Sequence, residues 1–174
     1  MRINPAELKL VEPGMVWQRS YHRYIEELGD EERYPFPMDF EHHDFAAMLQ
    51  RIADFAAGKN LPDGYVSSST LWLVAGDELL AVANIRHRLN DSLRYAGGHI
   101  GLGVRPSFRG QSLGSYLMQQ AINFARQLGI GDVHIHCYKD NLASRGMIER
   151  CKGVPHSEVA TEDGTVVLRY IVAA

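Results

Sequence analysis

The stretch GVRPSFRGQSLG, from Gly103 to Gly114, joins a short apolar strand to an amphipathic helix and decides how the chain folds. The strand HIGLGV ends at Val104, because Pro106 cannot donate a hydrogen bond to a sheet. Ser112 is expected to begin a helix that runs to about Leu128. The bend between them therefore ends at a helix N-terminus, where unpaired N–H groups and the positive end of the helix dipole favour a phosphate.

Several interpretations of this bend are open. It could be an ordinary connection whose glycines serve only the turn. A P-loop would need Lys followed by Ser or Thr after its last glycine, and a dinucleotide fingerprint would need GxGxxG; the stretch has neither. The remaining interpretation is a phosphate-binding loop, in which Gly110 and Gly114 let the backbone approach the ligand closely and Arg109 adds a positive charge.

Length and composition favour a single domain over residues 1–174. The chain is 45% hydrophobic, which is enough for one core at this length. Its 18 basic and 21 acidic residues give a formal net charge of −3, so no nucleic-acid partner is expected. The N-terminal residues lack the apolar core of a signal peptide, no run is long enough to span a bilayer, and the two cysteines lack CxxC spacing. We expect a cytoplasmic protein with free thiols and no membrane association.

The first half of the chain predicts a strand, two helices and a hairpin. The strand covers residues 6–12, and a first helix ends near Gly29. A second helix is capped by Asp44 and ends at Gly58. Two strands then meet at a tight turn near Gly76.

The second half alternates strand, helix and strand. HIGLGV, the helix after Ser112 and the strand DVHIHCY imply a right-handed crossover between two parallel strands. Asn141 caps a helix to about Arg150, and the tail forms a hairpin around Gly164. The predicted fold class is α/β (α+β): a mixed, mostly antiparallel twisted sheet flanked by helices, with one parallel strand pair.

The RGQSLG loop resembles the acyl-CoA-binding pattern of the GNAT acetyltransferases, (Arg or Gln)xxGx(Gly or Ala), here Arg109, Ser112 and Gly114. Ser112 departs from the pattern, which usually has glycine there, although serine is a good N-cap. The resemblance covers most of the chain. It extends to the element order and to CYKDNLASRGMIERCKG. A bacterial subgroup described only as predicted acetyltransferases is similar in other segments: SYHRYIEELG, YPF, NIRHRLND and GGHIGLGVRPS.

This resemblance implies that acetyl-CoA binds as acyl donor between two splayed strands, with its pantetheine lying as an added strand. The cofactor-binding residues that it implies are Leu102, Gly103, Val104, Arg109, Gly110, Gln111, Ser112, Leu113, Gly114, Asn141 and Ser144. Many members have a tyrosine at the position of Ile148, where it protonates the departing thiolate. This chain lacks that tyrosine.

Two residues are candidates for proton transfer. His99 begins the cofactor strand, where the family often has a glutamate or histidine base, and Tyr138 at the end of the next strand could replace the missing acid. The alternatives are a structural histidine and a surface tyrosine. His134 and His136 share one strand face, but HxH without a third ligand does not make a zinc site, so no metal is expected.

The segment IRHRLND precedes the cofactor strand and could line the acceptor site. Arg86, His87 and Arg88, together with His136, are the candidate acceptor-binding residues. Arginines there would suit a carboxylate or phosphate, although arginines on a solvated strand are common.

The expected function is acetyl-CoA-dependent transfer of an acetyl group directly to a primary amine of a small molecule or peptide; a homodimer is possible. One alternative is a non-catalytic acyl-CoA-binding or sensing module. Another is a transferase for longer acyl groups.

Overall fold

A computed structural model describes all residues, 1–174, and arranges seven strands in two antiparallel sheets. The first sheet, in the order β1-β2-β3-β4, consists of β1 (Leu8–Val11), β2 (Ser68–Ala75), β3 (Glu78–Arg86) and β4 (Ile100–Val104). The second, in the order β5-β7-β6, consists of β5 (Val133–Tyr138), β6 (Val154–Ala160) and β7 (Val166–Val172). The helices are α1 (Gln18–Leu28), α2 (Phe45–Ala57), α3 (Asp91–Tyr95), α4 (Leu113–Gln127) and α5 (Leu142–Arg150).

The helix boundaries follow the capping residues in the sequence. Asp44 accepts a hydrogen bond from the N–H of Ala47 at 3.0 Å, and Gly58 ends α2 with a left-handed φ of 70°. Asn141 accepts from the N–H of Ser144 at 3.1 Å and begins α5, as predicted. The short helix α3 was not predicted.

The sheets lie between two layers of helices. Helices α1 and α2 cover one face through a cluster of 13 buried residues, in which the rings of Tyr21 and Trp72 stack at 5.8 Å. Helices α4 and α5 cover the other face through a cluster of 22 buried residues that includes Leu117 and Ala121. The predicted mixed α/β architecture is confirmed.

A buried ion-pair network fixes α1 against the end of β4. The Arg105 guanidinium lies 2.8 Å from a Glu27 carboxylate oxygen and 2.7 Å from one of Glu78. Arg105 is only 5% exposed, and it also donates to the hydroxyl of Ser20 at 3.1 Å and to the carbonyl of Leu79 at 3.3 Å. Because a buried charge needs such partners, this network anchors the helix layer beside the cleft described below.

The two sheets meet only at the beginning of β4. The N–H of His99 donates to the carbonyl of His134 at 2.7 Å, next to an isolated antiparallel bridge between Gly98 and Ile135. Gly98 has φ 69°, and a Cβ there would lie 2.6 Å from the His134 carbonyl oxygen. Beyond this point β4 and β5 share no ladder, so the expected pair is splayed and a gap opens between their edges.

Candidate functional site

The gap between β4 and β5 opens into a cleft of about 1070 Å³. Its walls come from β4, β5, α1 with the loop that follows it, and the N-terminal turns of α4 and α5. Ten of the eleven predicted cofactor residues line it: Leu102, Gly103, Val104, Arg109, Gly110, Ser112, Leu113, Gly114, Asn141 and Ser144.

Gln111 is the exception. Its side-chain oxygen accepts from the N–H of Ile3 at 2.8 Å, and its amide nitrogen donates to the carbonyl of Met1 at 2.9 Å. The side chain therefore points away from the cleft and holds the N-terminal segment.

Six consecutive main-chain N–H groups are free where the cleft meets α4. The N–H groups of residues 110–115 have no acceptor, and the first bond of the helix runs from Tyr116 to the carbonyl of Ser112 at 3.1 Å. Such a row of donors at a helix N-terminus is suited to phosphate oxygens. The bend that the sequence predicts to bind phosphate thus contains a defined set of unpaired donors, the N–H groups of residues 110–115.

Ser112 occupies the N-cap position without acting as a side-chain cap. Its φ is 61°, and its hydroxyl makes no capping bond, so the expectation of a serine cap was wrong. The left-handed conformation explains why glycine is usual here: it lacks the Cβ that makes this region unfavourable for other residues.

Gly114 brings α4 close to β4 and α5. A Cβ at this position would lie 2.9 Å from the Met147 sulfur and 3.3 Å from a methyl carbon of Val104. A larger side chain would therefore enter the space between the first turn of α4 and the cleft.

The free edge of β4 presents main-chain groups to the gap. The N–H of Arg86 donates to His99, and that of Arg105 donates to Leu80, so alternate β4 residues between them bond to β3. By this alternation Leu102 and Val104 direct their N–H and C=O groups away from β3, whereas those of Gly103 are used within the sheet. Leu102 and the N–H of Val104 therefore form the edge along which an extended ligand can pair, while the Val104 carbonyl accepts a hydrogen bond from the side chain of Arg109.

Arg109 is engaged by protein groups instead of being free for phosphate. Its Nε donates to the carbonyl of Val104 at 3.0 Å, and its two terminal nitrogens lie 2.7 and 3.2 Å from the carboxylate of Glu31. The hydrogen bond from Arg109 holds the pKa of Glu31 below its usual value. Arg109 thus ties the bend before α4 to the loop after α1 on the cleft wall.

The structure places His99 outside the cleft, where it cannot serve as the expected base. It is 5% exposed, and its Nδ1 accepts the N–H of His134 at 2.9 Å, which leaves its proton on Nε2. Burial, helped by the positive charges of His134 and Arg86, lowers its pKa to about 4. His99 instead joins the two sheets, because its main chain and its ring both bond to the main chain of His134 where the gap ends.

His136 lies at the same end but lines the cleft. Its Nδ1 accepts the N–H of Gly97 at 3.0 Å, so Nε2 carries the proton, and this buried atom has no partner. Burial lowers the pKa of His136 to about 4. His136 is therefore a neutral, largely buried residue of the cleft wall, and its place beside an acceptor stays a prediction.

Tyr138 lies on the cleft wall at the open end of β5 and is exposed, with 44% of its surface accessible. The negative charge of Glu32, followed by partial burial, raises the pKa of its phenol, so the hydroxyl keeps its proton at neutral pH. Glu32 also lines the cleft, and it makes no hydrogen bond or ion pair, unlike Glu31. The sequence did not single out Glu32, because a glutamate within the charged run of residues 30–33 carries no local signal of a site.

Two tyrosines of the α1 layer were also missed. Tyr24 and Tyr34 line the cleft, and the Tyr24 hydroxyl is buried without a partner. A Cβ at Gly103 would collide with the carbonyl oxygen of Tyr34, and one at Gly101 would lie 3.0 Å from its hydroxyl. The glycines of β4 thus make room for this loop, a relation that is visible only once loop and strand are in contact.

Arg86, His87 and Arg88, predicted to bind the acceptor, lie in three different environments at the end of β3. Arg86 is buried, with 7% exposure, and its guanidinium contacts the carbonyl of Gly97. His87 bonds to the hydroxyl of Ser69 at 2.8 Å, and Arg88 is exposed to solvent. None of the three lines the cleft; Arg86 lies behind its wall, next to Gly97, so the predicted acceptor-binding role of Arg86, His87 and Arg88 is not supported by their positions.

Three further observations concern Ile148, metal binding and the helices. Ile148, at the position of the family tyrosine, is buried in the core and does not line the cleft. No three His, Cys, Asp or Glu side chains gather closely enough to hold a metal ion. None of the helices has the length and apolar character needed to cross a bilayer.

Two sheets splay around a long cleft that ends at a helix N-terminus with free N–H donors, and this arrangement defines the class of protein. A model of the acetyltransferase (GNAT) family matches residues 21–153. The chain belongs to the GNAT acetyltransferase family. A sequence search of curated proteins finds no match.

Solved structures with the same fold include acetyltransferases of different specificities. The acetyl transferase from Salmonella typhimurium that modifies the N-terminal serine of a 50S ribosomal subunit protein is 18% identical, with a TM-score of 0.69 over 97% of this chain and 95% of that one. The microcin C7 self-immunity acetyltransferase MccE, solved with acetyl-CoA and AMP, is 15% identical, with a TM-score of 0.70 over 97% and 93%. The yncA protein of Salmonella typhimurium, solved with its cofactor acetyl-CoA, is 14% identical, with a TM-score of 0.64 over 96% and 94%. At these identities the likeness concerns the fold.

Proposed function

We propose that this protein is an N-acetyltransferase that transfers an acetyl group directly from acetyl-CoA to a primary amine of a small molecule or peptide. The observation that carries the proposal is the row of six unpaired N–H groups, residues 110–115, at the end of the cleft. Membership of the GNAT family supports it, as do solved neighbours that contain acetyl-CoA.

The residues present suit the donor molecule. The N–H groups of residues 110–115 would hold its diphosphate, since several donors and the helix dipole act on the same anion. The free edge formed by Leu102 and Val104 would pair with the amide groups of its pantetheine arm. Acetyl-CoA supplies an acetyl group activated as a thioester.

Direct transfer forms an N–C bond, breaks the C–S bond and releases one proton from the attacking nitrogen. Glu32 is the unpaired carboxylate on the cleft wall, so we assign it as the group that accepts this proton, directly or through water. Tyr138 keeps its phenolic proton at neutral pH and would deliver it to the departing sulfur. The neutral donor His136 lies at the closed end, beyond Leu102 along the cleft.

A non-catalytic acyl-CoA-binding module is the second candidate. The observation in its favour is Ile148, which puts a buried aliphatic side chain where many members have the acid. Such a module would bind acetyl-CoA through the same loop and transfer nothing.

The test is a thiol-release assay with acetyl-CoA and a panel of amines, combined with calorimetry of acetyl-CoA binding. We expect Glu32→Gln to lower kcat by roughly 100-fold or more, as for loss of a general base, and to leave acetyl-CoA affinity within about twofold. Glu26→Gln is the matched control, because Glu26 is an exposed glutamate of α1 away from the cleft. Unchanged turnover in Glu32→Gln would remove it as the base, and binding without turnover on any amine would favour the module.

A further inference from the structure

Arg150 is an exposed cation on the cleft wall that has no acidic partner. Among the lysines and arginines only Arg109 and Arg150 line the cleft, and Arg109 is paired with Glu31. No carboxylate lies within ion-pair distance of Arg150. The adjacent Glu149 is engaged elsewhere, because it accepts a hydrogen bond from the Tyr170 hydroxyl at 2.9 Å. Arg150 is therefore the arginine of the cleft wall whose charge no carboxylate balances.

The Arg150 side chain lies back along α5 and reaches α4. Its Nε donates to the hydroxyl of Ser115 at 3.0 Å. A Cβ at Gly146, one turn earlier on α5, would lie 3.2 Å from Nη1, so the guanidinium lies against the helix surface that this glycine leaves open. The single hydrogen bond leaves both terminal nitrogens, Nη1 and Nη2, with N–H groups that can bind a ligand.

Ser115 connects this guanidinium with the row of free N–H groups. Its N–H is the last of the six unpaired donors, residues 110–115, and its hydroxyl holds Arg150. Ser115 and Arg150 both line the cleft. An unbalanced positive charge thus lies beside the donors that would hold the diphosphate of acetyl-CoA. The ribose attached to that diphosphate carries a separate 3′-phosphate, so the cofactor has a second anion one sugar away from the first.

We propose that Arg150 binds the 3′-phosphate of acetyl-CoA and makes the protein select the 3′-phosphorylated donor. A phosphate monoester carries up to about two negative charges at neutral pH, and a guanidinium matches its oxygens with paired N–H groups. The main-chain donors act on the diphosphate, which a cofactor without the 3′-phosphate also contains, so they do not distinguish the two forms. The proposal rests on the proposed function, because it concerns the acetyl donor of that reaction.

The experiment compares the Kd of acetyl-CoA with that of acetyl-3′-dephospho-CoA by calorimetry. The two ligands differ only in the 3′-phosphate. The wild type should bind acetyl-CoA roughly 10-fold more tightly, which is the lower end of the range for a charged hydrogen bond because the arginine is exposed. Arg150→Gln should lose this preference: its affinity for acetyl-CoA should fall roughly 10-fold, and its affinity for the dephospho form should stay within about twofold.

Lys152→Gln is the matched control. It also removes one exposed positive charge, two residues from Arg150, but Lys152 does not line the cleft. This variant should keep the wild-type preference, and circular dichroism checks that both variants are folded.

Equal affinity of the wild type for the two ligands would overturn the 3′-phosphate assignment while leaving N-acetyltransfer intact. An equal loss of affinity for both ligands in Arg150→Gln would also overturn it, because the arginine would then act on a part that they share. No loss for either ligand would show that Arg150 serves only the end of α5. If the preference depends on Arg150 but no amine is acetylated, the proposed function fails and the assignment stands. Binding of neither ligand would overturn both.

Discussion

The buried histidines that close the gap between the sheets should make the protein less stable in mild acid. Burial lowers the pKa of His99 to about 4, against an ordinary value of 6.5. Between these pH values the unfolded chain binds a proton that the native histidine does not, so unfolding becomes easier as the pH falls. From pH 7 to pH 5 this extra proton binding by the unfolded chain lowers the free energy of unfolding by about 2 kcal/mol for one histidine.

His99→Asn isolates this contribution. The asparagine oxygen can take the place of Nδ1 as acceptor for the N–H of His134, but it does not titrate. We expect the free energy of unfolding, measured by urea denaturation, to fall about 2 kcal/mol less between pH 7 and pH 5 in the variant than in the wild type. At this chain length the same difference corresponds to a Tm shift of roughly 4 to 8 °C.

The control is His43→Asn, because His43 is exposed on the loop before α2 and contacts no buried ring. Its pH profile should match that of the wild type. If the profiles of His99→Asn and the wild type also coincide, His99 is not held neutral by burial, and the account of the closed end is incorrect.

Three substitutions test how the site is built. Ser112→Gly should raise stability by up to about 1 kcal/mol in urea denaturation, because it relieves a left-handed serine, and should leave acetyl-CoA affinity unchanged; a loss of stability would contradict this. Gly103→Ala should destabilise the protein by roughly 1–3 kcal/mol by displacing the loop at Tyr34, and an unchanged Tm would show that the contact is not tight. Glu78→Gln should cost about 2 kcal/mol, because Arg105 loses one of its two carboxylates; no change would mean that Glu27 alone satisfies the buried charge.

The predictions that succeeded depended on local signals. Asp44 and Asn141 cap helices because short polar side chains bond to nearby N–H groups, and the turn near Gly76 follows from adjacent residues. The free N–H groups after Arg109 are likewise a property of one segment. Signals of this kind can be read directly from the sequence.

The features that were missed depend on contacts between distant segments. His99 was a candidate base by its place in the chain. In the structure its Nδ1 accepts the main-chain N–H of His134, 35 residues away. Glu32 and Tyr24 become cleft residues only when the α1 layer packs against β4. The burial of Arg86, compared with the exposure of Arg88, also depends on what covers the end of β3.

The most direct test of the central claim is calorimetric titration of acetyl-CoA, compared with acetyl-pantetheine, which lacks the diphosphate. If the N–H groups of residues 110–115 hold that diphosphate, the wild type should bind acetyl-CoA at one site and acetyl-pantetheine at least 100-fold more weakly. Gly114→Trp, checked for folding by circular dichroism, should lose acetyl-CoA binding, since the added ring fills the space beside the first turn of α4. Equal affinity of the wild type for the two ligands, or no binding of acetyl-CoA at high micromolar concentration, would contradict the account.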